Sequence, residues 1–295
     1  MGTHETIQQL SGHQGAIYDV TWADDQSCWL TAGGDGIIAE WAEDGSGEGR
    51  AVLHHEQAFY SVSAHQQMRV AGAENGDLFR WKRGESDRAR RIRAHTSGLF
   101  ALTWMKDGTL VTGGGDERVV RWNEHEILSE WHIQGARKIR CIVPSDAGIF
   151  VGTSGGEAII SPPLDAVGCL KGGIAIAGHS GGTYAAVWHP QKRVWISGGR
   201  DGHLRVWDTA GESLLSIPAH ESAIYRVCQF SGMLWTASRD KTLKAWGWND
   251  LEPLEKVTHR QGGSNRSINA LAASGRPLDR LVFGGDDRIG RMFTR

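Results

Sequence analysis

Cysteine and proline are scarce in this chain, 4 and 7 among 295 residues, and neither sign of charge dominates. Cys28, Cys141, Cys169 and Cys228 stand far apart with no CxxC pair, which excludes a disulfide framework and zinc-finger spacing and reads as buried free thiols. With 32 Lys and Arg against 34 Asp and Glu, the chain as a whole has no sequence-blind attraction to nucleic acid or anionic lipid, although local patches are left open. No run of apolar residues is long enough to cross a bilayer as a helix, and the opening stretch MGTHETIQQL has no basic segment followed by an apolar one. The expectation is a cytoplasmic protein with no membrane partner. A phosphate loop of the form GxxxxGK[ST] is also missing, and Gly113-Gly114-Gly115 reads as a strand-to-turn cluster.

Glycine, at 40, and tryptophan, at 13, are in contrast abundant, which asks for many turns and for a repeated structural use of the indole. A repeat supplies both. Trp41, Trp81, Trp122, Trp207 and Trp246 each close a strand-like run (GIIAEW, GDLFRW, RVVRW, HLRVW, TLKAW), at intervals of 40, 41, 85 and 39 residues. The interval of 85 holds a degenerate copy, FVGTSGGEAIIS, with Ser161 in the Trp position; a seventh copy, LVFGGDDRIGRMF, ends at Phe293. Upstream of these closing residues lie Gly12-His13, Ala94-His95, Gly178-His179 and Ala219-His220, with His54-His55 a weaker version. The His precedes its Trp by 26 to 28 residues.

These marks, and above all GHSGGTYAAVW followed by GGRDGHLRVWD, resemble the WD40 repeat family over nearly the whole chain. The resemblance implies an all-β fold: a seven-bladed β-propeller of four-stranded antiparallel blades, with residues 1–295 as one domain. Since the last unit ends on its third strand and Thr6 to Leu10 precedes the first His as an orphan strand, the N-terminal strand is expected to complete the last blade.

Four sets of residues look like hydrolytic triads: His13, Thr31, Asp35; His95, Thr112, Asp116; His179, Ser197, Asp201; and His220, Thr236, Asp240. An enzyme does not need one triad in four copies, and each set travels with its Trp. By resemblance they form structural hydrogen-bond relays ending on the indole N–H, so no catalytic residue, metal ligand or cofactor is expected. Blade 2 keeps His55, Asn75 and Trp81 but has Ala71 in the hydroxyl position, and blades 4 and 7 have lost the set; these blades are expected to be softer. Blade 4 also carries the insertion Ser161–Gly178, in which Pro162-Pro163 stops the third strand. The run Lys82–Arg93, with six basic and two acidic residues, reads as the outer edge of blade 2, where charge discourages edge-to-edge pairing.

One irregularity points toward function. In the first strand of blade 1, Ile17 is out of phase with Val20 and Trp22, and a β-bulge at Tyr18 would account for it. Five residues past each His, or past its aligned position, stand Tyr18, Tyr60, Phe100, Arg140, Tyr184, Tyr225 and Asn269. The resemblance places this position beside the central channel on the face of the His turns, and adds as partner-contacting the residues before the turn Asp, here Arg200, Arg239 and Asp286. Aromatic side chains with Arg favour recognition, although the same ring could simply plug the channel. The leading expectation is a noncatalytic scaffold, monomeric by itself, that binds a protein or an extended peptide bearing an acidic or C-terminal carboxylate group. A small-molecule or catalytic propeller with its site at the channel is the alternative; a nucleic-acid role resting on the Lys82–Arg93 edge comes third.

Overall fold

A computed structural model describes residues 6–25, 27–162, 173–275 and 279–294. It contains seven four-stranded antiparallel sheets, one for each repeat, which are the blades of the expected seven-bladed β-propeller. Six blades use four consecutive strands. The seventh takes Ile268–Ala273, Arg280–Gly285 and Ile289–Thr294 from the C-terminal end and is completed by Thr6–Ser11, paired antiparallel from Thr6 opposite Phe293 to Ser11 opposite Ile289. The orphan N-terminal strand therefore closes the last blade, and the fully buried Leu10 packs with Ile17, Trp41, Val282 and Met292.

Sequence pattern and burial agree strand by strand. Second strands, such as Cys28–Gly33 and Val194–Gly199, are buried along their whole length, as near-continuous apolar runs tapering to Ala and Gly should be. Two of those terminal glycines are fixed by close approach: a Cβ on Gly33 would stand 2.5 Å from His13 Nδ1, and one on Gly114 within hard contact of His95 Nδ1. The outermost strands are the exposed ones. Arg90–Arg93 is the outer strand of blade 2, so the basic run occupies the edge assigned to it.

First strands depart from simple alternation. Ile17–Ala23 is buried at Ile17, Val20 and Ala23, a spacing that a flat strand cannot give. The ladder to Cys28–Gly33 skips one residue between Ile17 and Asp19, so Tyr18 is a bulge.

The chain divides into two compact units. One comprises residues 1–74, 79–92 and 225–295, essentially blades 1, 2, 6 and 7; the other comprises residues 75–78 and 93–224, essentially blades 3, 4 and 5. Within the first unit, the first strand of blade 1 lies against those of blades 2 and 7, and apolar layers fill the spaces between successive blades. Within the second, the first strand of blade 4 lies against those of blades 3 and 5, with Ile139 and Val151 in one layer and Phe150 and Trp195 in the next.

Two details refine the sequence expectation. The stretch Ser161–Gly178 is not wholly an insertion, because Ile174–Ile176 is the outer strand of blade 4; the third strand does stop at Ser161, before Pro162, while Pro163 lies outside the described residues. Blade 7 has lost His, hydroxyl and Trp but keeps the carboxylate. Asp287 accepts from Ser264 Oγ, in the His position, at 2.7 Å and pairs with the buried Arg291 at 2.8 Å.

Candidate interaction face

The relays come first, because they hold the turns from which the face is built. In blade 1 the Trp41 indole N–H donates to Thr31 Oγ1 at 2.8 Å, that oxygen lies 2.8 Å from His13 Nε2, and His13 Nδ1 lies 2.9 Å from Asp35 Oδ2. The carboxylate can only accept, so Nδ1 carries a proton toward Asp35, and the Thr31 oxygen, accepting from the indole, stands between Trp41 and Nε2. Asp35 then accepts the backbone N–H groups of Gln14, at 2.7 Å, and Ile37, at 3.2 Å, which ties the His turn to the turn between the second and third strands.

Blade 3 repeats the chain through Trp122, Thr112, His95 and Asp116, at 3.0, 2.8 and 2.8 Å. Blade 5 repeats it through Trp207, Ser197, His179 and Asp201, at 2.8, 2.9 and 2.7 Å. In blade 6, Trp246 donates to Thr236 at 3.0 Å, and Asp240 holds its turn through the N–H and hydroxyl of Thr242.

The electrostatics follow from that wiring. Burial alone would raise the Asp35 and Asp116 carboxyls, but the hydrogen bonds from His and from turn N–H groups outweigh it and hold both below the usual range. Asp201 is likewise held at about 2 against the pull of burial, mainly by Arg205 and His179. Burial pushes His179 down to about 4 despite the opposing pull of Asp201, so the ring is neutral near pH 7. The sequence hydroxyl, imidazole, carboxylate is that of a hydrolytic triad, yet Thr31, Thr112 and Ser197 are at most 1% exposed and already accept an indole N–H. Among the described residues no three His, Cys, Asp or Glu side chains gather in a group that could hold a metal ion.

The bulge of blade 1 recurs throughout. In each of the six first-strand ladders whose register is described, the skipped residue is the one singled out by counting from the His: Tyr18, Tyr60, Phe100, Arg140, Tyr184 and Asn269. All six are half-buried, as is Tyr225 in the first strand of blade 6, Ile224–Phe230. The residue before the turn carboxylate, or at its aligned position, donates its backbone N–H to the carbonyl two residues before the bulge. The pairs are Gly34 to Ala16, Glu74 to Ala58, Gly115 to Gly98, Ser154 to Lys138, Arg200 to Gly182 and Asp286 to Ser267. Each such blade thus presents two side-chain positions together at one end of its first two strands.

In the unit of blades 3 to 5 these positions form an aromatic and basic cluster. The Arg140 guanidinium lies over Phe100 at 5.1 Å and over Tyr184 at 4.9 Å, and Lys138 Nζ lies over Phe100 at 5.0 Å. The exposed Arg200 runs across Gly181, where a Cβ would come within 2.8 Å of its Cδ. The rings of Phe100 and Tyr184 are therefore already engaged by a cation.

In the other unit the bulge positions are Tyr18, Tyr60, Tyr225 and Asn269, and the positions before the turn carboxylate include the acids Glu74 and Asp286 beside Arg239. Tyr18 and Tyr60 meet edge to face at 5.1 Å, Tyr60 Oη donates to Glu74 at 2.8 Å, and Asn269 donates to Asp286 at 2.7 Å. Burial, with Asp286 and Glu74 nearby, raises the Tyr18 phenol. Asp19, beside the bulge, accepts from Val62 N–H at 3.0 Å and pairs with Arg226 at 3.1 Å, lacing the first strands of blades 1, 2 and 6. Arg239 is exposed next to Asp240.

Sequence reasoning missed Glu74, Lys138 and Asp19. Glu74 could have been found by counting, since it precedes Asn75 as Asp286 precedes Asp287. Lys138 and Asp19 follow no repeated pattern.

The family model "WD domain, G-beta repeat" matches residues 4–41, 87–123 and 173–208, which include the relay residues of blades 1, 3 and 5. The chain is 26% identical over 246 residues to "Echinoderm microtubule-associated protein-like 1" of Mus musculus, an alignment covering 77% of this chain and 28% of that protein. It therefore spans under a third of that relative's length. To "Serine-threonine kinase receptor-associated protein" of Gallus gallus it is 25% identical over 252 residues, covering 83% of this chain and 70% of that one. Among solved structures, the WD40 beta propeller domain of Doa1 superposes with a TM-score of 0.84 at 17% identity, covering 100% of this chain and 98% of that chain. That likeness is one of fold.

Proposed function

We propose, on the premise that this chain carries WD40 repeats folded as a propeller, that it is a noncatalytic scaffold which binds a protein or an extended peptide, the whole chain acting as one domain. The binding surface in this reading is the blade end that carries the His turns. One observation carries it: the bulge recurs at the same repeat position, so the fold spends an irregularity in blade after blade to aim a half-buried Tyr, Phe, Arg or Asn out of the interblade layers. Bulges re-aim side chains at rims, and Tyr and Arg are the residue types enriched where binding energy concentrates.

Two further points support the reading. The polar sets that resemble catalytic triads are consumed by the relays. Of the two relatives, one is named for association with microtubules and the other for association with a kinase receptor; association with another protein is the role carried over to this chain.

The test is capture of partners from native extract on immobilised wild-type protein and on a Tyr184→Ala, Arg140→Ala, Tyr225→Ala variant, beside a charge reversal of Arg88, Arg90 and Arg91. The reading requires a stoichiometric partner that the triple variant loses and the edge variant keeps. The reverse pattern would move the site to the outer edge of blade 2.

A further inference from the structure

Surface arginines in the unit of blades 3 to 5 ordinarily have a carboxylate. Arg118 pairs with Glu130 at 2.5 Å, Arg121 with Asp107 at 2.5 Å, Arg193 with Asp146 at 3.1 Å and Arg205 with Asp201 at 2.7 Å. At the bulge end the pattern stops. Lys138 and Arg200 are exposed, and among the described residues no carboxylate pairs with either. Lys138 and Arg140 nevertheless share one Phe100 ring, and Arg140 and Arg200 flank Tyr184 and its Gly181 turn. Lys138 and Arg200, without a carboxylate among the described residues and set beside a third cation, favour the arrival of an anion.

The floor between them is kept low. Gly115 and Gly181 occupy turn positions where a Cβ would strike Ser97 Oγ at 2.8 Å or Arg200 Cδ at 2.8 Å. Arg140 is fixed between two aromatic faces, so its charge is presented with little conformational entropy left to lose. At the repeat position of Arg200 the other unit has Gly34, Glu74, Arg239 and Asp286, so two of its four blades carry the opposite sign there.

We infer that Lys138, Arg140 and Arg200 form a cradle for the anionic side chains, carboxylate or phosphate, of an extended segment of a partner protein. This rests on the scaffold reading and adds to it both the chemistry of the partner and the blades that read it. An extended chain fits the cradle because alternate residues point to one side about 7 Å apart, so two acidic side chains can reach cations contributed by neighbouring blades.

The probes are a short fluorescein-labelled peptide alternating Glu with Thr, its Gln counterpart, a version with phosphoserine in place of Glu, and a single-stranded RNA of equal charge, each titrated by fluorescence anisotropy. The Glu or phosphoserine peptide binds and the Gln peptide does not; added salt weakens the binding. Lys138→Gln and Arg200→Gln each weaken it about threefold to fivefold, and together on the order of tenfold. Both side chains are exposed, so unchanged melting of the variants separates lost charge from lost fold. Arg90→Gln, on the outer strand of blade 2, does not weaken it. Comparing the Glu and phosphoserine peptides identifies the anion. Equal affinity for the Gln peptide, unchanged affinity in the double variant, no binding of either anionic peptide, or tighter binding of the RNA would each overturn the inference. Should it be overturned while native partners are still lost on the Tyr184→Ala, Arg140→Ala, Tyr225→Ala variant, the scaffold reading stands and only the anionic chemistry falls.

Discussion

Replacing Thr112 by Val removes one hydroxyl from the relay of blade 3 while keeping the shape of the side chain. Thr112 is fully buried, with His95 and Trp122 packed beside it at 1% and 4% exposure. In the wild type its oxygen accepts the Trp122 N–H at 3.0 Å and lies 2.8 Å from His95 Nε2. After substitution a buried donor and a buried acceptor both lose their partner, and each such orphan costs about 1–3 kcal/mol. The hydroxyl's own desolvation is relieved at the same time, leaving a net loss of roughly 2–4 kcal/mol. Thr112→Ser is the control. It keeps the hydroxyl, as Ser197 does in blade 5, and gives up one methyl group, worth about 1 kcal/mol. Denaturant unfolding followed by tryptophan fluorescence should rank wild type, Ser and then Val, with the larger step between Ser and Val. A Val variant as stable as the Ser variant would refute the relay as a source of stability. It would also reopen the question of why a buried hydroxyl sits between an indole and an imidazole in blade after blade.

Deletion of residues 1–10 removes most of the strand that covers Ile289–Thr294 and takes Leu10 out of its layer, so the truncated protein should aggregate or melt well below the wild type; an unchanged monomer with wild-type melting would contradict closure of the last blade. Acidification should destabilise the fold in two windows. His179 titrates near 4 in the fold against an ordinary 6.5, so the unfolded chain binds the extra proton between those values and stability falls as pH drops through them, by about 3 kcal/mol in all. Asp201, held at about 2 against an ordinary 3.8, adds a further loss below pH 4; a melting temperature flat from pH 7 to 4, or one equally acid-sensitive in His179→Gln, would argue against the first window.

The fold was readable because its marks repeat. Each closing Trp and its His recur at nearly constant distance, and a buried relay demands both ends, so the spacing carried the architecture with it. The bulge was readable at Tyr18 because Ile17 and Val20 both had to be buried, three positions apart. Degenerate blades were harder to read. Blade 7 stabilises the same turn through Ser264, Asp287 and Arg291, a different chemistry reaching the same carboxylate, and no His or Trp announces it. The charge of the face was the least legible part. Lys138 comes from a blade without the relay, and Glu74 precedes an Asn rather than an Asp, so neither stands out in a pattern keyed to His and Asp. The sequence read Phe100 and Tyr184 as part of a ring that recognises a partner or plugs the channel. Their stacking on Arg140 is a tertiary fact, set by strands far apart in the chain.

The scaffold account is tested most directly by amide hydrogen exchange of the protein with and without its captured partner. It predicts slowed exchange at the N–H groups around the bulges and the turns behind them, including those of Glu74, Ser154, Arg200 and Asp286, with the outer strands unchanged. Protection confined to an outer strand such as Arg90–Arg93 or Ser213–Pro218, with those turns exchanging as in the free protein, would contradict it.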